Sequence, residues 1–304
     1  MKKQINSVVL YGRVYESDLA VKQVKKEGPN KGKEFIGGSI QVATDEDGIN
    51  LVSVNYGYVT PLTKKGSVNK NYSVLNDIIN GATWIKDGKD NALMVKITTS
   101  VAVNDFKARD GQVVEQTRCE NGFIEFVNAL PEDESDRNKF EIDVVINSVF
   151  EKEPEDEESY VTLKGYTFDF KNALIPVELT VRNEEGKNHF LDQEITSSNL
   201  LYTKIWGKIV SAVTRKEVVE ESAFGANSVH VVERKHKEWL VTGTQKIPYD
   251  IGDEEGGDEK ISKPELIKAK QDRETKLAGI RTAEDFATST AAPVTAKPGN
   301  GFTF

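Results

Sequence analysis

The sequence predicts a mainly β protein: two tandem Greek-key barrels with short helices and a flexible C-terminal tail. Three observations carry this expectation. Runs of β-branched and aromatic residues, each bounded by turn residues, fill residues 5 to 247. One helical pattern interrupts them between the third and fourth strands. After an acidic break at 131–138 the same order begins again.

In the first unit the strands are Val8–Tyr15, Phe35–Ala43, Ile49–Val59, Leu93–Val103, Val113–Thr117 and Phe123–Val127. The second and third are joined by Thr44-Asp45-Glu46-Asp47-Gly48, a polar turn whose glycine tolerates positive φ. Side chains alternate along a strand, so Val52, Val54, Tyr56 and Tyr58 share one face, with Ile49 and Leu51 on the other. A small barrel buries one face only. The valines are expected inside and the tyrosines at the rim, where one can offer its ring to a ligand. In "NYSVLNDIINGATW" Val74, Leu75, Ile78 and Ile79 lie on one helical face, and Gly81 ends the helix. Three strands, a helix and further strands is the order of an OB-fold.

The restart is read from "KFEIDVVINSVFEKE", which parallels the opening "QINSVVLYGRVYES". "YVTLKGYTFDFKNALIPVELTVRN" supplies a strand pair in which Pro176 marks an edge or bulge, and "FLDQEITSSNLL" takes the helix position. The best internal match sets Lys96 of "KITTSVAVNDFKARDGQVVEQT" against Lys204 of "KIWGKIVSAVTRKEVVEES". The expected units are 1–130 and 139–247, two OB-fold-like domains, followed by 248–304. That last stretch reads as an acidic linker, "DIGDEEGGDE", one exposed helix, and a small-residue tail tipped by Phe302 and Phe304.

Composition narrows the function. No run approaches the ~18 apolar residues of a membrane span, and the N-terminus lacks the apolar core of a secretion signal. With one cysteine, Cys119, no internal disulfide forms, which fits a reducing cytoplasm. Three histidines and one cysteine make a structural zinc site a poor reading, and no metal or cofactor is expected. Walker, G-x-S-x-G and H-E-x-x-H patterns are absent, and "KEGPNKGKEF" lacks the spacing of a phosphate loop. The acid pairs lie in low-complexity loops where nothing tunes a pKa. No catalysis is expected. The net charge of −9 speaks against nucleic acid, but the acids cluster at 131–136, 151–158 and 250–259 and leave basic stretches between them.

Single-stranded nucleic acid is held by cations that follow the phosphates and by aromatic faces that stack on bases. Both residue types occur on the strands and loops that form an OB-fold groove. In the first unit the candidates are Tyr11, Arg13 and Tyr15, which alternate on the first strand, and Lys22, Lys25, Lys26, Lys31 and Lys33 in the following loop. Phe35 opens the next strand, Tyr56 sits on the third, and Phe106, Lys107 and Arg109 lie at the later hairpin. In the second unit Lys204, Trp206 and Lys208 share a face, joined by Arg215, Lys216, Arg234, Lys235, Lys237 and Trp239. The stripe Tyr166, Phe168 and Phe170 reads as barrel core more than as a stacking platform.

"GRVYESDL", "GKEFIGGSIQVATDEDGINLVSVNYGYV" and "KITTSVAVNDF" resemble the single-stranded-DNA-binding proteins of tailed bacteriophages, over most of the first unit. The resemblance implies a non-catalytic protein that coats single-stranded DNA in replication or recombination, in the host cytoplasm if phage-encoded. It also implies a C-terminal tail that recruits replication or recombination proteins. Such tails place an acidic run directly before a terminal hydrophobic residue; here "GDEEGGDE" lies far upstream and "KPGNGFTF" holds no acid. The linker is instead expected to compete with DNA for the basic groove, so that truncation after residue 247 tightens binding at low salt. The rival reading is a β-barrel structural or assembly protein of a virion, whose barrels self-associate.

Overall fold

Every second residue of strand β1 (Asn6–Ser17) faces inward, with Val8, Leu10 and Val14 fully buried, as a barrel strand requires. The structure is a computed structural model that describes residues 1–108, 110–155, 158–220 and 228–280, for 212–220 and 228–236 the backbone only. Around the first barrel β1 pairs with β3 (Glu34–Ala43), β3 with β4 (Leu51–Val59), and β1 also with β5 (Met94–Lys107). β6 (Val113–Phe126) closes the ring, antiparallel to β5 and parallel to β4 at Val54 and Cys119. A short β2 (Ala20–Gln23) extends β3 at its edge. Helix α1 (Lys70–Ile79) stands between β4 and β5, capped by Asn69, and turns Leu75 and Ile78 into the core.

The second barrel repeats this order. β7 (Asn138–Lys152) pairs with β8 (Tyr160–Phe168), β8 with β9 (Leu174–Val181), and β7 also with β10 (Leu201–Glu220). β11 (Ser228–Thr244) runs antiparallel to β10 and touches β9 in parallel at Thr180 and Leu240. The molecule is therefore mainly β, with two OB-like barrels. Two strand expectations change. Val113–Thr117 and Phe123–Val127 merge into the single strand β6, which passes through Asn121 at φ 51° and a register shift against β5. The second barrel's helix, here α2 (Glu184–Leu191), lies earlier than "FLDQEITSSNLL" and starts at its cap Asn183.

Register shows how closely the halves correspond. β1 bulges between Val14 and Glu16 against β3, and β7 bulges between Ile146 and Ser148 against β8, so Val14 matches Ile146. Counting back, Leu10 matches Ile142, Val8 matches Phe140 and Asn6 matches Asn138. Leu10 pairs with Ile97 as Ile142 pairs with Ile205, which sets Lys96 on Lys204. Both asparagines hold the same strand position in their barrels. Val101 N donates to Asn6 Oδ1 at 2.7 Å, and Ile209 N donates to Asn138 Oδ1 at 3.1 Å. The barrels join through β1 and β7, antiparallel, with Asn6 opposite Ile142, Val8 opposite Phe140 and Leu10 opposite Asn138. Exchanging matched residues leaves that pairing unchanged, so a pseudo-two-fold axis passes through Val8 and Phe140. Asn50 from the β3–β4 turn adds hydrogen bonds to Ile209 O and Ser211 N across the junction.

The C-terminal segment is bound more tightly than its sequence predicts. Ile251–Gly252 and Ile261–Ser262 form a small parallel pair, and helix α3 (Lys263–Ala278) follows with a Ser262–Glu265 capping box. Ile261 and Leu266 bury a second apolar cluster with Val145, Phe168, Leu174 and Tyr202 on the outside of the second barrel. Phe168 is thus buried by this segment and not within the barrel. Phe170 stands 91% exposed on the turn beyond it. Farther along α3, the Arg273 guanidinium reaches Asp105 at 2.8 Å, Glu115 at 2.9 Å and Leu174 O at 3.3 Å. The helix thereby fastens the β5–β6 hairpin of the first barrel to β9 of the second. Residues 281–304, including Phe302 and Phe304, lie outside the described residues.

Candidate nucleic-acid interface

The tyrosines of β4 part company at a bulge. Ile36 lies opposite Val59 and Gly38 opposite Tyr56, so β4 spends one residue more than β3 over this stretch. Tyr56 therefore points into the barrel, 1% exposed, while Tyr58 turns out and is 48% exposed. Tyr56 is corrected from binding residue to core: burial raises its phenol far above the usual range, and its hydroxyl has no hydrogen-bond partner. Tyr58 meets Phe35 with ring centroids 4.8 Å apart. Gly37 lies beside the Phe35 ring. A Cβ at Gly37 would approach the Phe35 ring to 3.3 Å, and the space beside Gly57 is open.

A lysine-rich hairpin continues from this aromatic pair. Lys22 lies opposite Phe35 across β2 and β3, and Val24 N donates to Lys33 O at 3.0 Å to prolong the ladder. Gly32, at φ 79°, shapes the turn. Lys31 pairs with Glu27 and Lys33 donates to Asn30 at 2.9 Å. Among the described residues Lys22, Lys25 and Lys26 have no ion-pair partner. The hairpin thus presents free cations next to the exposed Tyr58 ring and the half-buried Phe35.

Other candidates fall elsewhere. Tyr15 packs on Trp84 at 5.9 Å, and Arg13 donates to Ala92 O at 3.4 Å, so both help hold the segment between the first helix and β5. Trp84 also carries the Lys89 ammonium 5.5 Å from its ring; sequence reading missed it because no periodic pattern surrounds it. Lys89 and Arg137 both bind Glu46, at 2.7 and 2.5 Å, and hold its carboxyl down at about 2. Phe106 is exposed and Lys107 adjoins it at the end of β5, on the hairpin that Arg273 fastens. Arg109 lies outside the described residues, as do the side chains of Arg215, Lys216, Arg234 and Lys235. Trp239 is corrected to core: it is 5% exposed and packs edge-on against Phe140 at 5.4 Å. Burial pushes the Cys119 thiol up to about 12.

Trp206, Lys204 and Lys208 share the outer face of β10, and Tyr11 lies on the outer face of β1 with Lys96 5.7 Å from its ring. They belong to the junction of the barrels, away from the hairpin. The second barrel also offers Phe150, exposed under the Lys164 ammonium at 5.8 Å, and Tyr160, stacked by Arg182 at 4.8 Å. Neither pair was picked out from sequence, since their partners come from different strands.

None of the described helices is long and apolar enough to cross a membrane. Comparison with solved structures finds similarity to a deletion mutant of the single-stranded DNA binding protein from Thermus aquaticus, with TM-score 0.48 and 11% identity, covering 84% of this chain and 100% of that one. No curated protein matches. The family model of YorF matches residues 4–279, through both barrels and the C-terminal helix, and the chain belongs to the YorF family.

Proposed function

We propose that this chain binds single-stranded DNA without catalysis and largely without regard to sequence, coating and protecting it during phage DNA replication or recombination. The observation that carries the reading is the Phe35–Tyr58 pair: Tyr58 turned outward by a bulge and in contact with Phe35, which lies beside Gly37, at the foot of a hairpin whose Lys22, Lys25 and Lys26 have no ion-pair partner among the described residues. Each base stacked on such a ring contributes about 1–3 kcal/mol, whatever its identity, because every base has a π-face. The hairpin lysines neutralise phosphates and release counterions. Joining two barrels in one chain makes the second contact intramolecular and raises its effective concentration. The phage context rests on the sequence resemblance, and recruitment of replication or recombination proteins by the C-terminal tail belongs to the same proposal.

Photo-crosslinking to bromodeoxyuridine-substituted single strands tests the site. Adducts on the peptides containing Phe35 and Tyr58 are expected. Adducts that avoid both peptides while the protein still shifts the oligonucleotide would overturn this placement.

A further inference from the structure

Strand β10 carries an indole that the second barrel does not use. Trp206 is 39% exposed and lies flat on Gly243, where a Cβ would come within 2.5 Å of the ring. Gly207 beside it is equally constrained, since a Cβ there would stand 2.0 Å from Leu240 O. One face of the indole thus rests on backbone and the other faces out. The Lys204 ammonium sits 5.9 Å from the ring, and Lys208 follows on the same side of the strand. Across the junction Tyr11 has its own lysine, Lys96. Lys96 and Lys204 are matched positions, while Tyr11 and Trp206 are not, and each barrel brings an aromatic ring with an ammonium beside it to this face of the junction. Between the two rings runs a groove of 690 Å³ along β1, β7 and β10.

Charge on this face favours a polyanion over an apolar protein surface. Lys96 is held by Glu125 at 3.0 Å, Lys204 by Glu141 at 2.9 Å and Lys139 by Asp136 at 2.5 Å, while Lys208 has no ion pair among the described residues. Exposed pairs of this kind are weak, so a phosphate displaces the carboxylate at little cost. A second copy of the chain would have to bury the three pairs and the free ammonium together.

We propose that the groove across the barrel junction is a second single-strand contact, with bases on Trp206 and Tyr11 and phosphates near Lys208, Lys204 and Lys96. It rests on the single-stranded-DNA reading above and extends it. Trp206 is level with Ser7 through Glu141, so Tyr11 lies about 13 Å along the strands and about 10 Å across them from the indole. The rings therefore serve separate nucleotides of one strand as it passes from barrel to barrel.

The test compares the full chain with Trp206→Ala, Lys208→Glu, Gly243→Ala and Phe35→Ala/Tyr58→Ala on dT oligomers of about 8 and about 35 nucleotides, within and beyond the span of one OB-fold. Anisotropy gives affinity and sedimentation velocity gives the state of the free protein. Trp206→Ala is expected to weaken the long oligomer about 5- to 150-fold, the size of one lost base stack, and to leave the short one within about 2-fold. Lys208→Glu weakens the long oligomer selectively, and Gly243→Ala does the same by displacing the indole. Unchanged long-oligomer affinity in all three would overturn the inference. So would a change confined to sedimentation of the free protein, which would make this face an interface between copies. Wild-type chain that binds neither oligomer would instead overturn the parent reading.

Discussion

Replacing Tyr58 by alanine separates a binding ring from a folding ring. Its contact with Phe35 spans 4.8 Å on a half-exposed surface, an arrangement worth about 0.5–1.5 kcal/mol to the fold beyond the modest area the ring buries. If a base stacks there, removing the ring costs about 1–3 kcal/mol of binding, a rise of about 5- to 150-fold in Kd. Tyr56, two residues earlier, supplies the opposite control. Its ring fills the barrel, and truncation to alanine costs about 3–5 kcal/mol of stability through lost burial and a cavity. Tyr56→Phe removes only a buried hydroxyl that has no partner, and stability holds or rises. Anisotropy of a labelled dT oligomer and urea unfolding of each variant measure the two effects. Tyr58→Ala that binds like wild type, or that loses stability as Tyr56→Ala does, would refute the reasoning.

Further outcomes are expected. Lys25→Gln with Lys26→Gln makes the dependence of log K on log salt shallower by about 1.4, at about 0.7 per phosphate contact; an unchanged slope removes the hairpin from the site. Arg273→Ala leaves the Asp105 carboxylate, whose side chain is 3% exposed, with Lys276 as its remaining cation and lowers unfolding free energy by about 1.5–3 kcal/mol in urea; a loss below about 0.5 kcal/mol would show that the helix is not a strut. Glu46 has its pKa lowered by Lys89 and Arg137, so the stability it lends is present above the unfolded value near 4.5 and is lost as pH falls toward about 2; Glu46→Gln should flatten Tm against pH in that window alone. Truncation after residue 247 removes Ile261, Leu266 and Arg273 from their contacts and should lower Tm. Competition by the acidic segment is therefore tested by neutralising Glu254, Glu255 and Asp258 in the full chain, where tighter binding at low salt is expected.

Much of the fold could be read from local pattern. Period-2 alternation and the Thr44–Gly48 turn located β3 and β4, and Lys96 against Lys204 anticipated a correspondence that the strand register later reproduced. Period 2 also misled. It put Tyr56 and Tyr58 on one face, because a bulge is set by pairing with a partner strand and leaves no mark on the alternation of its own. The weak amphipathicity of the C-terminal helix hid its docking, which depends on two apolar side chains and one arginine whose carboxylates come from the other barrel. At the site the lysine hairpin and Phe35 were legible as composition. Their separation from Tyr11 and Trp206 was not, since sequence order says nothing of which side of a closed barrel a strand presents. Trp239 looked like Trp206 in sequence; its burial and its edge contact with Phe140 distinguish them.

The most direct measurement is a fluorescence anisotropy titration of a labelled dT oligomer of about 30 nucleotides with the full chain at two salt concentrations, against unlabelled duplex as competitor. Tight binding that weakens steeply with salt and that duplex does not displace is the predicted result. Absence of binding at low salt, or equal displacement by duplex, would contradict the account.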